Sequence, residues 1–308
     1  MNFSRFRRSG ALLASLVLAL GALVSGTAHA QLTVTLTTPK RVFLAYEPIP
    51  TTIEVFNRTG KDIVLGDHDG QSWLAFDVAT IGGDALLAYG GEPRFEPRVV
   101  PAGQSVRQTL SLGRHYAMGS QGNYAVKARA WFSETRQSFA SNTIALTVAE
   151  GNEFYKPEPI GIPTGRSGPD STVYRQFSLI SFQEIDHMNL YVRIRDVKSQ
   201  RVIATYSLGR LVPHRDPAPV IDNENRLNVL FLTGPKASRF CVVDSEGDLV
   251  KSQVYEDVAG ALPRLMLSNA GRVRVDGGRL YDPNAPKPEE TREVIHSLTE
   301  RPPGAPEE

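Results

Sequence analysis

Between Leu32 and Val148, apolar and polar residues alternate with a period of two in short runs broken by turn residues, which restricts this region to β structure. Successive side chains of a strand point to opposite faces, so such alternation marks a sheet with one buried and one wet face. Leu32-Thr33-Val34-Thr35-Leu36 sets the pattern, and Thr51 to Phe56 repeats it. Asn57 to Asp62 then turns the chain into Ile63-Val64-Leu65. Trp73 to Val78, Ser105 to Leu112, Gly122 to Phe132 and Ser141 to Val148 continue the series. About seven short strands over roughly 120 residues predict a β-sandwich.

Three stretches carry a family resemblance: Pro48 followed by Ile53-Glu54-Val55-Phe56-Asn57, Pro101-Ala102-Gly103-Gln104-Ser105, and Gly122-Asn123-Tyr124-Ala125-Val126. Together they resemble the immunoglobulin-like modules of many bacterial exported proteins, over about residues 32–149. Gly70-Gln71-Ser72-Trp73-Leu74-Ala75-Phe76-Asp77 is similar to the corresponding strand of the bacterial intracellular-proteinase-inhibitor type of that sandwich. The resemblance implies an immunoglobulin-like fold for residues 31–149. It rests on turns and core positions, which specify fold and not activity.

Residues 150–171 interrupt the pattern. Pro157, Pro159, Pro163 and Pro169, with Gly161, Gly165 and Gly168, exclude a helix or an interior strand and predict an interdomain linker. Beyond it, residues 172–282 contain a near-repeat. Tyr191 to Asp196 and Val202 to Tyr206 are echoed by Phe240 to Asp244 and Leu249 to Tyr255. A proline-led strand, a polar turn and a further strand follow each pair, from Pro219 to Leu230 and from Pro263 to Val275. The offset is 46 residues from Arg226 to Arg272 and 49 from Tyr206 to Tyr255. Four strands per unit at that spacing resemble β-propeller blades, but two units cannot close a ring of at least about four. The expectation is all-β: the sandwich, followed by a second antiparallel β domain of two four-stranded near-repeats packed as sheets. Residues 283–308, rich in Pro and Glu, read as a disordered tail.

The first thirty residues read as a secretory signal. Arg5, Arg7 and Arg8 precede the apolar stretch Ala11 to Val24, and Ala28-His29-Ala30 supplies the small residues that a signal peptidase requires. Cleavage before Gln31 would give an exported chain, periplasmic or secreted, without a transmembrane segment. That leader departs from a cytoplasmic inhibitor, so inhibition is not carried over with the fold. Taking the three leader arginines from 34 basic groups leaves 31 against 33 acidic ones, a net charge near −2. Nothing in that balance attracts nucleic acid. The single cysteine, Cys241, allows no internal disulfide, and its apolar strand predicts a buried, inert thiol.

No catalytic motif and no cofactor motif is present. Asp67 and Asp69 flank His68 on one turn and are candidate ligands for a hard cation. The same residues suit a polar hairpin turn whose carboxylates bond their own backbone, and no complete calcium-loop pattern follows. Asp244 to Asp248 reads as a similar turn. His214 and Asp216 lie in a proline-flanked loop and, with Asp222, are candidate binding residues. Tyr89 and Phe95 lie in the long loop 82–98, the expected recognition element. Trp73 and Trp131 are expected in the core. These features fit an exported non-catalytic protein of the cell envelope that contacts another envelope or extracellular protein. A carbohydrate- or calcium-binding adhesion module is the alternative, and an exported protease inhibitor or enzyme is the third.

Overall fold

The computed structural model describes residues 31–165, 171–258 and 260–282. The expected leader, 1–30, and tail, 283–308, lie outside the described residues. The rest is all-β, with one 3₁₀ turn at Leu112–Arg114. No helix among the described residues is long and apolar enough to cross a membrane.

Ten strands form the first half: β1 (Leu32–Thr37), β2 (Val42–Leu44), β3 (Pro50–Asn57), β4 (Ile63–Leu65), β5 (Leu74–Thr80), β6 (Arg98–Val100), β7 (Ser105–Ser111), β8 (Gly122–Phe132), β9 (Gln137–Ala140) and β10 (Ile144–Ala149). One sheet runs β1-β3-β7, and the facing sheet runs β2-β10-β8-β5 with β9 also on β8. Leu36 of β1 and Ile53 of β3 share a single core with Val78 of β5, Val126 of β8 and Leu146 of β10. Alternation is clean. Along β8, Tyr124, Val126, Ala128, Ala130 and Phe132 are buried while the residues between them turn outward. Asn57 is buried but satisfied: its amide donates to Lys61 O at 2.7 Å and Val100 O at 2.9 Å, tying the turn to β6.

In the stretch expected as a linker the structure forms β11 (Asn152–Tyr155) and β12 (Ile160–Pro163), which pair with successive parts of β13 (Thr172–Gln183). Both are edge strands, where Pro163 removes no ladder bond from a sheet interior. β13 continues into β14 (Met188–Asp196) and β15 (Val202–Arg210), completing the sheet. The next sheet runs β16 (Ala218–Ile221), β17 (Leu227–Gly234), β18 (Ala237–Val243) and β19 (Leu249–Glu256). β20 (Arg264–Leu267) and β21 (Val273–Asp276) form a separate hairpin, and the short β22 (Arg279–Leu280) returns to pair with β19.

The near-repeat therefore needs a correction. Each expected unit divides between two sheets: β14 and β15 belong to one and β16 and β17 to the next, and likewise β18–β19 and β20–β21 separate. The meander sheet β16-β17-β18-β19 spans the second half of one repeat and the first half of the other. Hairpins recur in sequence, but the sheet boundary falls halfway through the unit.

These sheets are stacked, and the parity of each strand shows it. Leu190, Val192 and Ile194 of β14 meet Leu227, Val229 and Phe231 of β17 with Cys241 and Val243 of β18 in one core. The opposite face of the β17–β18 ladder, with Leu230, Phe240 and Val242, packs on Leu265, Val273 and Val275 of the β20–β21 hairpin. The opposite face of β13–β14 packs on the first half, where Leu44, Ile180, Phe182 and Tyr191 form a small core. Cys241 is fully buried, and burial raises its thiol pKa, as an inert core thiol requires.

A charged knot joins the halves. Lys40 Nζ lies 2.8 Å from Glu47 Oε1, 2.9 Å from Glu184 Oε1 and 2.8 Å from the hydroxyl of Tyr191. The Tyr191 hydroxyl in turn donates to Glu184 Oε1 at 2.8 Å. Burial and the two carboxylates push its pKa far up, so it remains a neutral donor. Arg193 Nη2 donates to Ala45 O at 2.7 Å, and its guanidinium lies 5.1 Å from the Tyr46 ring centre. At Gly151 a Cβ would stand 2.5 Å from Ile180 Cγ2 and 2.8 Å from Ser181 O, so only glycine permits this approach.

Candidate functional site

The wet face of the second sheet carries a groove. Its floor comes from strand parity: because Ala130 and Phe132 fill the core, Arg129 and Trp131 turn outward, with Ser138 of β9 directly across from Trp131. One wall is the turn from Asp67 to Ser72, and the other is the segment Gly90 to Arg94 of the long loop. The groove, open on one side to water, has a volume of about 610 Å³, within the roughly 300–1,000 Å³ of small-molecule sites.

Internal hydrogen bonds hold both walls. Asp67 Oδ1 accepts from Trp73 N at 3.0 Å, and His68 and Gln71 exchange backbone bonds at 3.1 and 2.9 Å. Asp69, in the left-handed region at φ 50°, pairs with His68 Nε2 at 3.3 Å. On the other wall, Glu92 Oε2 accepts from the Tyr116 hydroxyl at 2.9 Å. Burial first, and then that carboxylate, raise the Tyr116 pKa well above the usual phenol value, so the hydroxyl stays a donor. Gly90 and Gly91 take φ 71° and 94°, a conformation that leaves bare backbone at the rim.

The residues singled out in the sequence are dispersed. Tyr89 is 62% exposed and Leu87 86%, although the loop around them is pinned by Leu86 N to Val78 O at 2.8 Å and Tyr89 N to His115 O at 2.7 Å. Phe95 is no exposed platform. It packs on the core, its ring centre 6.0 Å from Trp73 and 6.4 Å from Phe76, while its carbonyl accepts from Trp73 Nε1 at 3.3 Å. Trp73 is fully buried as expected, but Trp131 is half-buried and lines the groove, which corrects its expected place in the core.

Asp67 and Asp69 share the groove wall, but Asp67 is engaged by the Trp73 amide and Asp69 by His68. Among the described residues, no three His, Cys, Asp or Glu side chains converge where a metal ion could sit. Asp244 caps its own hairpin turn, its Oδ1 accepting from Glu246 N at 3.0 Å and Asp248 N at 2.8 Å. His214 is exposed, and Asp216 borders a separate cleft of about 550 Å³ beside Phe154, Tyr155 and Met188. Asp222 does not join them. It is buried, and its carboxylate accepts from Glu224 N, Arg226 N, Arg226 Nε and Asn228 Nδ2 at 2.9 to 3.0 Å, organising the β16–β17 turn.

No protein-family description matches this chain, and no curated protein matches it. Among solved structures the chain is similar to the sporulation control protein Spo0M from Bacillus subtilis, at 10% identity and a TM-score of 0.27. That match covers 58% of this chain and 91% of the other. A likeness of that depth carries no functional argument.

Proposed function

We propose that this is an exported, non-catalytic protein of the cell envelope whose first half, an immunoglobulin-like module, contacts another protein through the loop 82–98. The observation behind this reading is the exposure of Leu87 and Tyr89, 86% and 62%, on a loop fastened to β5 at one point and to His115 at another. Large apolar side chains held in water on a pre-shaped loop lose little conformational entropy when a partner covers them. Export follows from the leader motif, Arg5 to Ala30. The knot at Lys40 suits a structural component, because it fixes the second half relative to this loop.

Two experiments test it. N-terminal sequencing of the protein from a fractionated source cell should find Gln31 as the first residue in a periplasmic or secreted fraction; an intact leader in the cytoplasm would end the export reading. A crosslinked envelope pull-down should enrich one dominant protein, and the Leu87→Ser/Tyr89→Ala variant should lose it. The same partner recovered undiminished with the double variant would remove the loop as the contact.

A further inference from the structure

We propose that the groove on the outer face of β8 binds a neutral oligosaccharide, with Trp131 as the stacking platform. This goes beyond the protein-contact reading, because Leu87 and Tyr89 do not line the groove. Trp131 lines the groove beside Arg129 from the outward face of β8, half-buried and with no place in the core beneath. An aromatic face has a negative quadrupole, and the C–H groups on the flat side of a pyranose are apolar and weakly positive. Such a ring stacks on an indole without needing charge.

The charges around the groove define the ligand class further. Asp67, Asp69 and Glu92 set three carboxylates against the two guanidinium groups of Arg94 and Arg129, a balance of −1. Asp77 also holds Arg129 at 2.8 Å. Phosphates and nucleic acids need a net positive surround, which this groove lacks. The lining instead offers unused polar groups of both kinds. The side chains of Gln71, Arg94 and Ser138 line the groove without a hydrogen-bond partner among the described residues. An amide, a guanidinium and a hydroxyl together supply donors and acceptors, which suits sugar hydroxyls that both give and receive. Asp67 and Glu92 are already oriented by Trp73 N and Tyr116, so the walls need little ordering on binding.

The chain has two tryptophans and one of them, Trp73, is fully buried away from the groove, so a sugar-induced change in intrinsic fluorescence is assigned to Trp131. The purified protein is titrated with neutral oligomers of β-1,4-glucan, α-1,4-glucan, mannan and chitin. One of them should produce a saturable change in emission. Trp131→Ala, which removes the reporting indole and is therefore titrated by isothermal calorimetry beside wild type, should weaken that binding roughly tenfold or more, and so should Gln71→Ala/Arg94→Ala, which alters only exposed side chains and guards against a folding defect. Leu87→Ser/Tyr89→Ala should bind the same sugar with unchanged affinity, separating this site from the protein contact. No saturable change with any oligomer at millimolar concentration overturns the proposal. So does full affinity in the folded Trp131→Ala variant.

Discussion

The two halves of this chain bury their sheets differently. In the first half each sheet has one face on a shared core and one face in water, and burial alternates residue by residue, as along Gly122–Phe132. In the second half β14 and β17 are covered on both sides, and buried residues run without a break from Asn189 to Ile194 and from Leu227 to Leu232. A sheet with a wet face can carry a groove and an outward tryptophan. A sheet inside a stack has no such face to offer, so binding there is confined to loops and edges. The division separates water-facing sheet surface in the first half from sheets packed on both faces in the second.

The comparison breaks first if the stacked sheets tolerate truncation. Phe231 is 1% exposed between two sheets that have little room to collapse. Phe231→Ala should cost about 3–5 kcal/mol, read as a fall in urea midpoint at unchanged slope. Val64, 55% exposed on β4, is the control, and Val64→Ser should stay within about 0.5 kcal/mol. Equal effects at the two positions would mean that β17 is not packed against β14.

A smaller loss is expected at the knot between the halves. Lys40→Met leaves Glu47 and Glu184, with side chains 13% and 18% exposed, facing each other without a cation. The cost should be roughly 2–3 kcal/mol, below that of a fully dry pair because water still reaches all three groups. Lys40→Met/Glu184→Gln should recover part of it, since one of the stranded charges is then gone. Differential scanning calorimetry of the three proteins decides this, and indifference to Lys40→Met would reduce the knot to a surface ion pair.

Acid should loosen the same joint. Burial raises the Glu184 pKa, but hydrogen bonds from Lys40, Tyr191 and Asn189 and the Lys40 charge outweigh it, so the net shift is downward. A carboxylate with a lowered folded pKa contributes stability that is fully present above its unfolded value of about 4.3 and lost as pH falls through the folded one. Wild type should therefore lose urea resistance below about pH 4 more steeply than Glu184→Gln. Parallel acid limbs would show that Glu184 is not linked to folding.

What could be read from the chain follows the same division. Period-two alternation was sufficient for the first half, because each strand there has one dry side. It also held the signal for Trp131: Tyr124, Val126 and Ala128 point inward, and an odd number of steps from any of them points outward. Expecting Trp131 in the core gave residue type more weight than parity. Phe95 offered no such signal, since it sits in a Gly- and Pro-rich loop and reaches the core through contacts with Trp73 and Phe76. In the second half the hairpins were legible from local runs, but which hairpins share a sheet was not. β15 and β16 are neighbours in sequence yet lie in different sheets, a choice made by packing across the Leu208–Val229 core. The knot was equally silent, because Lys40 and Tyr191 are 151 positions apart.

The smallest effect sharpens the wet side of the comparison. Asp67 sits at the groove wall with its Oδ1 on Trp73 N, so the turn geometry alone accounts for that oxygen. Asp67→Ala should cost about 1.5 kcal/mol, the low end for one hydrogen bond to a charged acceptor, and the loss should be the same with and without millimolar Ca²⁺. The wild-type melting temperature should likewise be indifferent to the ion, because a ligand that binds only the native state must raise it. A Ca²⁺-dependent rise abolished by Asp67→Ala would instead make this wall a cation site. The groove would then be read as one whose sugar contacts run through a metal, and the charge balance of −1 argued for it would no longer apply.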